Sequence, residues 1–236
     1  MRFCFIFDKA TNDMKLENTL KIGNGFYTIP DIARILRLPY HKVSLWVNKY
    51  WDGELGSDFE NKYSWTVDNS RAVSFHTLIE FYVLIMLAES GVKTRQVLNA
   101  HKELSHHFNT IFPFAQKKIL ENIRTDGKRV YFNLDGSILS LDGTKQFNLD
   151  FIKIFFKNLD FDDDLLASRF WPLGKENNIL IDPRRQFGHP VIGSTNIYPE
   201  TVFNLHKSGE PIEFIAFIYE IGEKEVKDAI EFCQAA

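Results

Sequence analysis

Cysteine is scarce in this 236-residue chain: Cys4 and Cys233 stand near opposite ends, in no CxxC or Cys/His ligand spacing. Neither a disulfide framework nor a structural zinc site is encoded, and both residues are expected to be free thiols. Long apolar runs are missing as well. The richest, Leu78 to Ala88, is short and contains Glu80, well below the roughly 18 to 20 residues a membrane helix needs. A soluble chain with no membrane partner is expected. The start, Met1 to Asp8, has too short an apolar stretch for a signal peptide and no small-residue cleavage site, which makes the cytoplasm the expected location.

Catalytic signatures are equally sparse. There is no GxxxxGK[ST] loop, no GxSxG elbow and no Gly-rich dinucleotide loop. His101, His106 and His107 are spaced i, i+5, i+6, which differs from the i, i+4 ligand pair of zinc helices, so they read as solvated or core histidines. His189 lies in a loop whose backbone is constrained by Gly188 and Pro190. The run Asp162-Asp163-Asp164 precedes an apolar stretch and reads as a solvated helix start. No enzyme, catalytic residue, cofactor or metal is expected.

What remains is a globular composition with an uneven charge. The net charge is −3, yet residues 1–129 carry 18 basic and 14 acidic side chains, and residues 130–236 carry 10 and 17. Between Lys21 and Trp51 there are five bases, Lys21, Arg34, Arg37, Lys42 and Lys49, against the single acid Asp31. A local basic patch of this kind is what phosphate contacts require.

That patch lies on a helix-turn-helix pattern. Thr28 precedes Ile29-Pro30-Asp31, a capping hydroxyl followed by a proline and an acid in the first turn. Ile29, Ile32, Ala33 and Leu36 form one apolar face, and Arg37-Leu38-Pro39 breaks the helix. Val43, Trp46, Val47 and Tyr50 then form a second apolar face, leaving Tyr40, His41, Lys42, Ser44, Asn48 and Lys49 outward. Residues from Gly53 to Ser74 lack helical period. They hold two β-prone runs, Lys62 to Val67 and Arg71 to Ser74, a hairpin placed where a winged helix-turn-helix carries its wing. Helices are expected from Phe75 to Gly91 and from Val92 to about Asn109, the latter with Val97, Leu98, His101 and Leu104 inward.

Three Asp-Gly pairs, at 126-127, 135-136 and 142-143, then punctuate apolar runs and predict a small hairpin sheet. A helix from Asn148 to Asn158 and an irregular stretch through Leu173 follow. The end of the chain is a strand at Asn178 to Pro183, a loop from Phe187 to Thr195, and three short helices. These run over Pro199 to Lys207, from Pro211 with Ile212, Ile215, Ala216 and Tyr219 inward, and over Glu223 to Gln234 with Val226, Ala229, Ile230 and Cys233 inward. The fold class is therefore mainly α with small β hairpins, an N-terminal winged helix-turn-helix and a C-terminal three-helix helix-turn-helix domain. The expected domains are 1–125, a central segment 126–177, and 178–236.

Ile181-Asp182-Pro183, Phe187-Gly188-His189-Pro190-Val191-Ile192, Gly193-Ser194-Thr195-Asn196-Ile197, Gly209-Glu210 and Ile215-Ala216-Phe217-Ile218-Tyr219 occur in fixed order over residues 179–232. This run resembles a small bacterial domain family, long described as of unknown function and since associated with VapB-type antitoxins. Asn196 stands where the family usually has an arginine, and Ser194 separates Gly193 from Thr195. The rest of the chain resembles the long subgroup of that family, with a MerR-like helix-turn-helix ahead of the C-terminal domain; Tyr27-Thr28, Asp31-Ile32-Ala33, Trp46-Val47, Phe75, Leu78-Ile79-Glu80, Gly91-Val92 and Arg95 carry it. Ala167, Arg169 and Trp171-Pro172-Leu173 resemble the linker. The resemblance implies an antitoxin, a PIN-domain ribonuclease toxin as cognate partner, and autorepression of the shared operon. Because the last helix is expected to end within about two residues of Ala236, the inhibitory surface is expected to be folded or to lie in an internal loop such as Asp160 to Asn178.

The residues assign roles within that reading. Tyr40, His41, Lys42 and Ser44 can reach base edges from the start of the second helix, while Arg37 and Lys49 meet phosphates. Thr28 and Asn48 complete the DNA-binding set, with Lys62 and Arg71 on the wing as phosphate candidates. Glu223, Glu225, Asp228 and Glu231 make the last helix acidic, which phosphate repels, so that helix is assigned to protein contact, in a homodimer or with the toxin. The competing readings are a stand-alone transcription regulator without a toxin and an adaptor that binds no DNA.

Overall fold

The computed structural model describes residues 23–59, 63–67, 69–125, 130–134, 137–140 and 155–234. Within them the chain is mainly helical with small antiparallel strand pairs. Strand β1 (Tyr27–Thr28) leads straight into α1 (Ile29–Ile35). Thr28 is extended, its hydroxyl accepts a hydrogen bond from Asp31 N at 3.4 Å, and the Asp31 carboxylate accepts from Thr28 N at 3.0 Å. This reciprocal cap satisfies donors that the first turn would otherwise leave unpaired. Ile29, Ile32 and Ile35 are buried, and the helix stops where Arg37 turns left-handed at φ 54°.

The second helix differs from expectation. It opens as α2 (Tyr40–Leu45), continues as a π-helix over Trp46–Leu55 and ends in a 3-10 turn at Gly56–Phe59, so its first residues past Gly53 are still helical. The wider i→i+5 turn keeps Trp46, Val47, Trp51 and Leu55, spaced by one, four and four, on the buried side. Trp51 meets the ring of Phe81 edge-on at 4.6 Å. Next comes the hairpin of β2 (Ser64–Val67) and β3 (Ser70–Val73), with Asn69 left-handed at φ 64°, and β1 adds to it in the order β1-β3-β2. Lys62 and Asp68 lie outside the described residues.

Helix α3 (Phe75–Glu89) is capped by Ser74 and buried on nearly every side. Helix α4 (Thr94–Phe108) buries Val97, Leu98, His101 and Leu104, and closes on left-handed Asn109. Beyond the Phe112-Pro113 break lies α5 (Lys117–Asn122), and β4 (Ile123–Thr125) then joins β5 (Val130–Leu134) and β6 (Ser137–Ser140) in a sheet ordered β4-β5-β6. The paired runs β5 and β6 flank the middle Asp-Gly pair. All three Asp-Gly turns, and most of the expected helix from Asn148, lie outside the described residues. Asp162 to Asp164 do not start a helix. They form the turn between β7 (Leu159–Phe161) and β8 (Ala167–Phe170), with Asp162 N donating to Leu166 O at 2.9 Å and Leu165 left-handed.

Strand β9 (Ile179–Leu180) pairs with β10 (Val191–Ile192), a strand inside what the sequence suggests is loop. Helices α6 (Pro199–Lys207), α7 (Ile212–Tyr219) and α8 (Glu223–Gln234) follow. Pro211 is the cap of α7 and not its first residue.

Two cores result. One gathers α1, the π-helix, α3 and α4 and also takes in Val130, Phe132, Phe155, Leu159, Phe170 and Ile181. The other holds Ile179, Ile192, Val202, Ile215, Val226, Ala229 and Phe232. They are joined by Phe26 N donating to Phe187 O at 2.9 Å and by an ion pair between Arg34 of α1 and Glu200 of α6. Beside them the Tyr27 ring lies against Gly25 and Gly188. A Cβ at either glycine would overlap it, and both glycines take positive φ.

Candidate functional site

The face of α2 and its π extension is divided as its sequence suggests. Val43, Trp46 and Val47 are buried, while Tyr40, His41, Lys42, Asn48 and Lys49 are exposed and Ser44 is half-buried. Lys42 Nζ lies 5.3 Å from the Trp46 ring centroid and Lys49 Nζ 5.7 Å from that of Tyr50. Both ammonium groups therefore rest on aromatic faces at the boundary of the buried side, a contact that orients them without neutralising them. Arg37 is exposed at the left-handed turn before α2. Among the described residues, Arg37, Lys42 and Lys49 enter no ion pair with a carboxylate.

Four other candidates are committed elsewhere. Thr28 caps α1 and its hydroxyl is bonded to Asp31. Asn48 Nδ2 donates to Ser44 O at 2.7 Å and to Ser44 Oγ at 3.1 Å, so this pair holds a helical turn together. Arg71 Nη1 lies 2.7 Å from Asp52 Oδ2. The same carboxylate accepts from Ser64 N at 3.0 Å and Ser64 Oγ at 2.6 Å. Arg71 thus fastens the hairpin to the π-helix. Asp52 was not among the sequence candidates, although an acid placed between an aromatic run and a β-prone run was the available signal.

At the other end, the acids of α8 separate. Glu223 is exposed beside Lys227, at 3.4 Å, and Glu231 is exposed with Asn177 Nδ2 at 3.4 Å. Glu225 is half-buried and accepts from Gly222 N at 2.8 Å, capping its own helix. Asp228, expected outward, is buried. Its Oδ2 accepts from Asn178 N at 3.0 Å, Asn178 Nδ2 at 2.7 Å and Lys224 Nζ at 2.8 Å, which anchors α8 to the residue before β9. A guanidinium also serves the loop around Asn196. Arg185 Nη1 donates to Gly193 O at 3.1 Å, Nη2 donates to Thr195 O, and Nε reaches Asn196 Oδ1 at 3.4 Å.

The surface of α7 was not anticipated. Ile215 and Ala216 are buried, Ile212 and Tyr219 half-buried, but Phe214, Phe217 and Ile218 are exposed, Phe217 to 80%. The signal was present in the helix IEFIAFIY, where a short amphipathic element has too many large apolar residues for one inward face.

The titratable groups furthest from solvent do not form a surface site. His101 Nε2 lies 2.8 Å from Glu80 Oε2, and Phe114 N donates to Glu80 Oε1 at 2.9 Å. Burial raises the Glu80 carboxyl, with His101 and the hydrogen bonds of His101, Phe114 and Ala115 opposing it. Burial likewise pushes the Cys233 thiol up to about 11, aided by Glu200 and opposed by Arg34, which keeps it protonated near neutrality. Among the described residues no group of three or more His, Cys, Asp or Glu is placed to hold a metal, and no helix is long and apolar enough to cross a membrane.

The family described as protein of unknown function DUF433 matches residues 179–233, the stretch of β9, β10 and α6 to α8. Over nearly the whole chain the protein is similar to "Putative antitoxin VapB45" of Mycobacterium tuberculosis (strain ATCC 25618 / H37Rv), 21% identical over 240 residues that cover 93% of this chain and 97% of that one. Its fold is similar to the crystal structure of Rv2018 from Mycobacterium tuberculosis, with a TM-score of 0.64 at 16% identity, covering 86% of this chain and 96% of the other.

Proposed function

We propose that this protein is the antitoxin of a type II toxin–antitoxin pair, which binds and neutralises a PIN-domain ribonuclease and, as a homodimer, represses the shared operon. The end-to-end similarity to a relative described as an antitoxin carries the reading. A match confined to the C-terminal domain would fit any protein that borrowed it, whereas this one spans both cores.

In the proposed mechanism α1, the turn at Arg37 and α2 act as a MerR-like helix-turn-helix, and the β2–β3 hairpin acts as its wing. Tyr40, His41 and Lys42 enter the major groove while Arg37 and Lys49 meet phosphates. Three cations on one exposed stretch, Arg37, Lys42 and Lys49, with no carboxylate partner among the described residues, support this assignment. Lys62 remains a proposed phosphate contact of the wing. Arg71, Thr28, Ser44 and Asn48 serve by holding the reading elements in place. The C-terminal helices provide the protein-binding end, where Glu223 and Glu231 are outward. The protein acts without enzymatic chemistry of its own and is cytoplasmic.

Two measurements test the reading together. The full-length chain is co-expressed with the product of the adjacent gene, and stable co-purification with loss of that product's ribonuclease activity is expected. Electrophoretic mobility shift on the DNA upstream of the operon is expected to give salt-dependent binding. If the neighbour's product neither binds nor loses activity, the antitoxin assignment fails, and DNA binding alone would leave a regulator.

A further inference from the structure

We propose that the outward strip of α7, formed by Phe214, Phe217 and Ile218, is the docking surface for a partner protein presenting an apolar socket rimmed by lysine or arginine. The proposal rests on the toxin-binding reading above and names the surface that does the binding.

The strip is contiguous. Positions i, i+3 and i+4 of a helix are surface neighbours, and here all three carry large apolar side chains exposed to 47%, 80% and 45%. Single exposed apolar residues are ordinary, but a cluster of this kind marks an interaction surface. It is also rigid. Ile215 and Ala216 are locked in the C-terminal core, and the helix is closed by Glu220 in the left-handed conformation, its N–H bonded to Ala216 O and Phe217 O. Presenting aromatic anchors from an ordered helix lowers the entropy lost on binding.

The charge around the strip selects the occupant. Glu213 and Glu220 are exposed beside it and Glu210 precedes it, and among the described residues none of the three is ion-paired with a base. A phosphate backbone or an anionic lipid surface would be repelled. A second copy related by a two-fold axis would set the same patch against itself, carboxylates against carboxylates. A partner with cations around an apolar pocket meets the anchors and neutralises the rim, and an RNA-cleaving protein has to carry such a basic surface to hold its substrate.

The test uses the full-length chain and the product of the adjacent gene. Wild type, Phe214→Ala/Phe217→Ala and Glu213→Lys/Glu220→Lys are compared by surface plasmon resonance, with circular dichroism melting to check folding. The double alanine variant is expected to lose at least about thirtyfold in affinity with an unchanged melting temperature, since both rings are exposed. The charge-reversal variant is expected to lose about tenfold, mainly in association rate and mainly at low salt. Unaltered binding by both variants overturns the surface assignment and leaves the antitoxin reading standing. Absence of binding by wild type overturns both. If sedimentation shows that the alanine variant instead breaks a wild-type dimer, the strip belongs to a second copy and the proposal fails.

Discussion

Glu80 Oε2 lies 2.8 Å from His101 Nε2, with both side chains sealed from solvent between α3 and α4. The other carboxylate oxygen accepts from Phe114 N, so one acid joins two helices and the following 3-10 turn. Removing one member strands the rest. Glu80→Ala is expected to cost about 3–5 kcal/mol, because it leaves His101 Nε2 and the Phe114 amide without their acid partner in a dry site. Glu80→Gln keeps an acceptor for Phe114 and a polar partner for His101, and is expected to cost only about 1 kcal/mol. Urea unfolding midpoints of the two variants check the ordering.

Asp160 sets an acid-side dependence. Burial alone would raise its carboxyl, but hydrogen bonds from Lys175 and Trp171 and the charges of Lys175 and Arg169 outweigh this and hold it below the usual range. The folded state therefore binds its proton less readily than the unfolded chain. Its contribution is complete above the unfolded value of about 3.9 and disappears as pH falls through the lower folded value. Asp160 is one-third exposed, so the contribution is expected to stay under about 1 kcal/mol. Melting temperatures of wild type and Asp160→Asn should differ at pH 5 and converge near pH 2.

Residues proposed to read DNA and residues that hold the proposed reader in place should separate experimentally. Lys42→Glu is expected to abolish binding to upstream DNA with little change in melting temperature, since Lys42 is exposed. Thr28→Val, which removes a cap, is expected to cost about 1 kcal/mol of stability while leaving the salt slope of DNA binding unchanged. Arg71→Ala should behave like Thr28→Val because its guanidinium already holds Asp52. Titrations at several salt concentrations with parallel melts distinguish the two groups.

Asp228→Ala is expected to destabilise the C-terminal core by about 2–3 kcal/mol, since the backbone and side-chain amides of Asn178 lose their shared acceptor. Glu231→Ala, one turn further on and exposed, should cost under about 0.5 kcal/mol. Amide hydrogen exchange at Asn178 and Ile179 would report the difference directly.

The elements most legible in the sequence are those bounded by strong local signals. Pro199, Gly209, Pro211 and Gly222 delimit α6, α7 and α8, and Thr28 with Asp31 marks the start of α1. The π continuation was hidden because a period of 3.6 cannot align Trp51 and Leu55 with Trp46, and only a wider turn does. Strands of two to four residues, such as β7, β8 and β10, are too short to develop an alternation. The outward row of α2 could be read because exposure there follows from which neighbours are apolar. Asp228 could not, since a carboxylate at a helical position reads as solvated until a distant amide is found opposite it. The remaining candidates were recognisable as polar residues near the right elements, but their partners, Asp52 for Arg71 and Glu200 for Arg34, come from separate elements that only the fold brings together.

The contact of Tyr27 with Gly25 and Gly188 ties two neighbouring positions to a third far along the chain. The tyrosine hydroxyl is buried without a hydrogen-bond partner among the described residues, and the ring occupies the space that a Cβ at either glycine would need. A side chain at 25 or 188 would meet both the ring and a left-handed backbone, so relatives that keep a large aromatic at 27 should keep glycine at both, and a small residue at 27 would relieve the overlap but not the backbone preference. A covariation signal linking 25, 27 and 188 would then trace the seam where the two cores meet.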